Sequence, residues 1–396
     1  MSQTTIVGVD GGATKVSAWQ VIFDREKKMF CLGTAHAEGV YADIPGYVKD
    51  FKPVDVAIQF KELADAAIRP TRDEQQQETV YVEACARAIM RIARETQAAS
   101  VIVGIGMPGL KTADMRGIHV VANGPRMLHY SDLLEERLQQ EGMRLETPIA
   151  RLGSDADYCG IGENYAEEGA FRTVDNAYYL GGGTGVADAM KLHGALLPFD
   201  QMKPWMAKTW EMQYEDGRSM ERFCSASGIQ SIYADITGKE VSQLNADKIF
   251  PPQIALRAAD GDPAARETYD LVTSALSAII YERIETLYAG WQNGFKFMNP
   301  NRPALQSEHE YLKTLLDRVI IGQRLGQLYN MEEATPWFAG PLREKCNQRI
   351  HASQTLDKKA RDHYGDAARY LKASQLREAP ALGAGIDAFF MWQNES

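Results

Sequence analysis

Four short stretches carry residue types suited to chemistry on phosphates and hydroxyls. The first is Asp10-Gly11-Gly12-Ala13-Thr14-Lys15. Glycines let a backbone approach a phosphate, and their N–H groups can cradle its oxygens. Thr14 and Lys15 add a hydroxyl donor and a positive charge, and Asp10 can hold Mg2+ through water. A plain hairpin turn reads the same way, because Asp-Gly is a common turn pair, and Lys15 reads equally as a solvated hairpin residue. The second stretch, Gly181-Gly182-Gly183-Thr184-Gly185, has no charge and again suits close backbone approach. The third, Ser154-Asp155-Ala156-Asp157, opens a helix. Ser and Asp are favoured N-caps, and an aspartate here can also act as general base toward a hydroxyl attacking a phosphoryl group. Asp155 is that candidate, and Asp157 reads as structural or orienting. The fourth, Gly104-Ile-Gly106-Met-Pro-Gly109, spells the dinucleotide fingerprint. Pro108 stands where the fingerprint's helix should open, and the preceding hairpin breaks the βαβ context it requires.

These residues need elements to hold them. Residues 4–10 predict a buried strand, Val16–Phe23 its hairpin partner and Met29–Ala35 a third strand. Residues 37–75, with Pro45, Pro53 and Pro70, read as an excursion from the core. Val82, Ala86, Ile89 and Ile92 recur at helical spacing and predict a helix over 78–97, with a solvated start at Asp73–Glu78. Strands follow over 100–106 and 148–152, and helices over 131–141 and 155–168. A second strand–turn–strand unit covers Ala177–Leu192, an architectural repeat of the first. Beyond residue 215 the pattern is mainly helical, strongest over 263–290 and 309–329. The small residues of Ala379–Trp392 predict a helix packed closely against another element.

The 396 residues predict two domains. A net charge of −10 argues against nucleic acid or an anionic membrane as partner. No run approaches the ~18 apolar residues that span a bilayer, and residues 1–5 have no signal-peptide character. Five dispersed cysteines form no CxxC or Cys/His cluster, which predicts reduced thiols and a cytoplasmic setting.

Taken in order, the motifs resemble the ROK family of sugar kinases and repressors, within the actin/hexokinase/Hsp70 fold class. Asp10–Lys15 resembles the family's first phosphate motif, Gly104–Gly109 its G-I-G-x-P-G segment, and Ala122-Asn123-Gly-Pro its sugar-contacting segment. Ser154–Glu163 resembles N-D-A-N-x-A-x-x-x-E, with Asp155 on the catalytic base. Gly183-Thr184-Gly185-Val186 through Gly194 resembles the second phosphate motif. Gly261-Asp-Pro-x-Ala and Ala381-Leu-Gly-Ala-Gly match helix landmarks. The resemblance covers the chain outside about residues 37–75 and 290–320.

The resemblance implies an α/β, actin-like or ribonuclease-H-like ATPase fold in two domains, each a β-sheet flanked by helices, with the active site in the cleft. The domains would be residues 1–168 plus 380–396 and residues 169–379. It implies ATP and Mg2+ as cofactors, Gly11, Gly12, Thr14, Lys15, Gly183, Thr184, Gly185 and Gly340 at phosphate or nucleotide, and Asp10 at Mg2+. Asn123, Ser154, Asp155, Glu211 and Glu221 would meet the sugar. The implied reaction is transfer of phosphate from ATP to a sugar hydroxyl, glucokinase- or hexokinase-like, with an amino sugar or cyclitol as alternative acceptors. A homodimer is carried over from the family.

Several positions depart from the family pattern. The zinc motif with its histidine and CxCGxxGCxE is missing, and only Met220-Glu221-Arg-Phe-Cys-Ser remains of that segment, so no zinc is expected. The sugar-contacting Glu-x-x-His is missing, and Glu211 stands near its place. Val186-Ala187-Asp188 follows the second turn where more glycines are usual, and Asp188 would repel phosphate unless it faced Mg2+ or solvent. Ala339-Gly340-Pro341 is all that remains of the adenosine-side Gly-Gly. Trp205, Trp210 and Tyr214 read as core or lid packing and offer faces to a sugar ring, and His193 reads as a surface turn residue. The rival from another class is a non-catalytic sugar-sensing regulator. Family repressors carry a helix-turn-helix before the first motif. Here nine residues precede Asp10, so a DNA-binding repressor is not expected.

Overall fold

The computed structural model describes residues 4–395; residues 1–3 and 396 of the first predicted domain fall outside it. The chain divides into two compact units, residues up to Glu168 with Glu378 onward, and Gly169–Arg377.

In the first unit Thr4–Gly11, Lys15–Asp24 and Met29–Val40 form an antiparallel meander. Ser100–Gly106 joins the free side of Thr4–Gly11 in parallel. Two short segments, Arg144–Leu145 and Leu152–Gly153, pair in parallel with its two ends. The period-2 rule sorts the faces. Val7 and Val9 point into a core shared with Ala84, Cys85, Ile89 and Ile92 of the helix Arg72–Glu95. Gly8 and Gly104 lie on the opposite face, under the C-terminal helix Ala379–Glu395. A Cβ on Gly8 would sit 1.9 Å from the Ala381 carbonyl oxygen, and one on Gly104 1.9 Å from that of Ala384. Gly383 approaches the Tyr158 carbonyl just as closely. The small residues thus bring backbone against backbone, as their composition predicts.

The second unit repeats this sheet. Ala195–Leu197, Val186–Leu192 and Ala177–Gly182 run antiparallel. Arg318–Gly322 joins Ala177–Gly182 in parallel, and Leu371–Ala373 joins Arg318–Gly322. Its core is built around the 27-residue helix Pro263–Ala289. That helix opens on Pro263 after Asp262, whose carboxylate accepts the Ala264 and Ala265 N–H groups at 2.9 and 3.2 Å. No helix among the described residues is long and apolar enough to cross a membrane.

Four expectations are corrected. The helix predicted over 309–329 is a loop, a strand and only then a helix: Arg318–Gly322 is the central parallel strand, and only Gln323–Asn330 is helical. Val319-Ile320-Ile321 is buried on both faces, and such a continuous apolar run carries no period to tell strand from helix. The strand predicted over 148–152 reduces to Leu152–Gly153. Residues 37–75 are not simply an excursion. The third strand runs on to Val40, and the helix Val56–Ala64 turns its Gln59 inward. Gln59 accepts the Val121 N–H at 2.9 Å and donates to the Val121 carbonyl at 2.9 Å. Nor is Asp73–Glu78 a solvated run. Glu74 completes a capping box with Thr71 and lies buried against Arg126, whose Nε and Nη2 reach its two oxygens at 2.7 and 2.8 Å.

Candidate functional site

The first glycine turn joins Thr4–Gly11 to Lys15–Asp24 and closes with the Gly12 N–H on the Lys15 carbonyl at 2.9 Å. Its carbonyls are tied from the protein side. The Tyr41 hydroxyl donates to the Gly12 carbonyl at 3.2 Å and the Tyr81 hydroxyl to that of Ala13 at 3.0 Å. The Tyr41 N–H takes the Thr14 carbonyl at 3.1 Å. The two tyrosine rings stack, with centroids 3.7 Å apart. Gly12, Ala13 and Thr14 are exposed, and among the described residues no acceptor meets the Ala13 or Thr14 N–H. A turn with its acceptors engaged and donors open suits an anion. Lys15 is not directed to that face alone: its ammonium pairs with Glu38 on the neighbouring strand, both side chains about half exposed.

Asp10 stands at the base of this turn. The register runs from Asp10 to Gly106 to Gly153 across three neighbouring strands. The chain then enters the helix Asp155–Tyr165, so Ser154 and Asp155 arrive at the same sheet end as Asp10. Ser154 holds the N-cap position without a side-chain cap bond, and Asp155 Oδ1 accepts the Ala156 N–H at 3.0 Å. Burial first, then the negative charges of Asp155 and Glu378, push the Asp10 carboxyl up to about 7, against a smaller pull from Lys15. Above that pH it holds buried negative charge that a cation would compensate. Among the described residues no three His, Cys, Asp or Glu side chains converge as a metal-binding set. The donors present therefore fit Mg2+ held through one carboxylate, water and phosphate oxygens rather than an all-protein cage.

Asn123 lies exposed on the loop 121–125. The loop is anchored at both ends, through Gln59 on Val121 and through the buried Glu74–Arg126 pair. The residues that sequence inspection sets aside as an insertion thus hold the segment bearing Asn123.

The second glycine turn joins Ala177–Gly182 to Val186–Leu192, with the Gly183 N–H on the Gly185 carbonyl at 3.0 Å. Glu221, expected at the sugar, lies against this turn and accepts the Val186 N–H at 3.0 Å. The strand register sets Gly322 opposite Gly181. The next residue, Gln323, reaches Gly183, where a Cβ would lie 2.5 Å from its Oε1. Gln323 adopts φ 54°, unusual for a residue other than glycine. It was missed because the helix assigned over 309–329 hid the strand-to-helix elbow. The available signal was Gly322 directly after a β-branched run.

The remaining candidates are spread through the second unit. Asp188 does not face solvent. It is buried, accepts from the Tyr178 hydroxyl at 2.5 Å and the Thr209 N–H and hydroxyl at 3.0 and 2.7 Å, and pairs with the buried Arg283 at 3.4 Å. The strand's alternation turns it inward. Glu211 accepts from Arg302 Nε at 3.1 Å and from the Lys208 N–H at 2.7 Å, fastening the segment 290–320. Gly340 sits in the first turn of Ala339–Ala352 with its N–H on the Thr335 carbonyl at 2.9 Å. Trp205 is buried and stacks on His309 at 4.2 Å, Tyr214 packs on Phe223, and Trp210 is exposed. His193 occupies its hairpin turn with φ 50°, its ring 3.1 Å from the Thr314 hydroxyl.

No family model matches the chain, and no curated protein matches it in sequence. Solved structures do match. A ROK family glucokinase from Streptomyces griseus, in complex with glucose and AMPPNP, aligns with a TM-score of 0.57 at 15% identity, over 97% of this chain and 98% of that one. A ROK hexokinase from Thermus thermophilus aligns with a TM-score of 0.55 at 15% identity, over 98% and 99%. A ROK family transcriptional regulator, a homolog of the E. coli Mlc protein, aligns with a TM-score of 0.51 at 13% identity, over 98% of this chain and 78% of that one. The fold is that of the ROK sugar kinases, an actin-like ATPase fold.

Proposed function

We propose that the chain is an ATP-dependent phosphotransferase that phosphorylates a sugar hydroxyl. The observation that carries this reading is the arrival of Asp155 beside Asp10 at one sheet end, below a glycine turn whose amides are open. The first turn receives phosphate oxygens on the Ala13 and Thr14 amides and the Thr14 hydroxyl. The second turn, Gly183–Gly185, takes phosphate at its exposed tip, Thr184, with the Gly183 and Val186 amides already engaged. Asp155 accepts the proton of the acceptor hydroxyl as that oxygen bonds to the γ-phosphorus and ADP leaves. Asp10 is the residue that would hold Mg2+ through water, and the ion would supply charge compensation for the transferring group. Asn123 and Ser154 orient the acceptor. The glucokinase and hexokinase of the same fold put glucose first among acceptors, with an amino sugar or cyclitol next.

The test is ADP release from ATP–Mg2+ across hexoses, amino sugars and cyclitols, with Asp155→Asn as control. Acceptor-dependent release should fall about 10²–10⁴-fold in the variant while ATP binding persists. Near-normal turnover by Asp155→Asn would remove the general base from the proposal. A second reading, a sugar-binding regulator without catalysis, draws on one observation: a carboxylate already occupies an amide of the second turn. It predicts sugar binding with no ADP release under any acceptor.

A further inference from the structure

Glu221 is held too firmly, and in too particular a place, for a residue with no task. It lies in the short 3₁₀ turn Met220–Arg222, whose N-cap Ser219 accepts the Glu221 N–H on its hydroxyl at 3.2 Å. The Glu221 carbonyl accepts the Cys224 N–H at 3.2 Å. With the backbone fixed, the side chain reaches the second glycine turn and takes the Val186 N–H at 3.0 Å. A Cβ on Gly185 would stand 2.7 Å from the same carboxylate oxygen. Glycine at 185 is therefore what lets the carboxylate lie against the turn.

The rest of the segment meets the same side. The Ser227 N–H donates to the Gly183 carbonyl at 3.3 Å, and a Cβ on Gly182 would lie 2.6 Å from the Cys224 carbonyl oxygen. Residues 221–227 thus support Gly182–Val186 from one side and leave Thr184 as the exposed tip. Four glycines leave such a turn many conformations, and a charge-assisted bond at its exit removes most of them.

We infer that Glu221 is a positioning residue of the second glycine turn. It fixes the shape in which the turn meets nucleotide phosphate, and it acts on the nucleotide side of the reaction rather than as a contact to the acceptor. The identity of the ligand rests on the phosphotransferase reading; the ordering of the turn does not.

The experiment uses the full chain with Glu221→Ala and Glu221→Gln, each checked for a native melting transition. Hydrogen exchange of the segment 183–188, without ligand, should be at least about tenfold faster in Glu221→Ala, because a bonded amide is released. Glu221→Gln keeps an acceptor oxygen and should restore most of the protection. In turnover, KM for ATP should rise about tenfold in Glu221→Ala, with KM for the acceptor unchanged. Unchanged exchange in Glu221→Ala would overturn the positioning role whether or not the protein turns over ATP. A rise in acceptor KM with constant ATP KM would return Glu221 to the sugar side. Faster exchange in Glu221→Ala together with a wild-type protein that neither binds nor uses ATP would defeat the phosphotransferase reading and the nucleotide half of this one, while the ordering role stands.

Discussion

The two glycine turns sit at equivalent places in two sheets of the same strand order, yet their hydrogen bonds are arranged in opposite senses. In the first, two stacked tyrosines take the carbonyls and leave amides open. In the second, a glutamate takes an amide and a helix N-terminus takes a carbonyl. The acids beside them also part ways. Asp10 closes its strand at the turn, with its carboxyl raised by burial and by Asp155 and Glu378. Asp188, two residues past Val186, is turned into the core and neutralised by Arg283. A repeated topology therefore fixes where a turn goes but not which of its groups it offers. The first turn presents donors beside a titratable acid. The second is a braced loop whose acid belongs to the core.

The largest effect should come from unsettling the second turn's acid. Arg283→Met leaves two buried carboxylates, Asp188 at 3.4 Å and Glu282 at 2.7 Å, without their charge partner, and should cost about 3–5 kcal/mol in chemical denaturation. Adding Asp188→Asn should recover only the share of that loss due to Asp188, because Glu282 stays buried and unpaired. A cost under ~1 kcal/mol for Arg283→Met would mean that the buried acids do not depend on Arg283.

Asp10 should behave in the reverse manner. Its folded-state pKa, about 7, lies above the ordinary 3.8. The folded protein thus holds the proton more tightly than the unfolded chain. That contribution to stability is complete below about pH 4 and is lost as pH rises toward 7, where the ionised group is buried. Without metal, Asp10→Asn should melt several degrees above wild type at pH 8, the gap narrowing as pH falls to about 4. An equal gap at both pH values would refute the titration of Asp10.

Smaller again is the effect of the tyrosines. Tyr41→Phe and Tyr81→Phe each remove one hydroxyl bond to the first turn, worth about 1 kcal/mol, and should weaken ATP binding several-fold in the double variant. Isothermal titration with ATP–Mg2+ reads this directly, and unchanged affinity would separate the tyrosines from the turn's function. The smallest effect is expected at Lys15. Its ion pair with Glu38 is half exposed, so Lys15→Ala should change the ATP KM by no more than about twofold. A tenfold rise would show that the ammonium leaves Glu38 for phosphate.

Much of the architecture could be read from local pattern. Both hairpins, the strand Ser100–Gly106 and the C-terminal helix follow from alternation, turn glycines and small residues, because each is decided by residues close together in the chain. Arg318–Gly322 escaped because a strand covered on both faces loses its period. The destinations of Asp188, Glu211 and Glu221 escaped for another reason. Each is settled by a partner 70 or more residues away, by a backbone amide, or by both, and neither leaves a mark beside the acid in the chain. Gln59 shows the same limit: a polar side chain on a short helix gives no hint that it will be the one turned inward.

The seat of the C-terminal helix has a bearing on how the chain is made. Gly8 and Gly104 present bare backbone to Ala379–Glu395, so the first sheet has one face finished by residues that follow the whole of Gly169–Arg377. During synthesis that face must wait on the order of ten to forty seconds, at bacterial or eukaryotic elongation rates, before its cover emerges. Of the two units, the one that begins first in the chain is the last to be complete, and until then this face of its sheet stands uncovered.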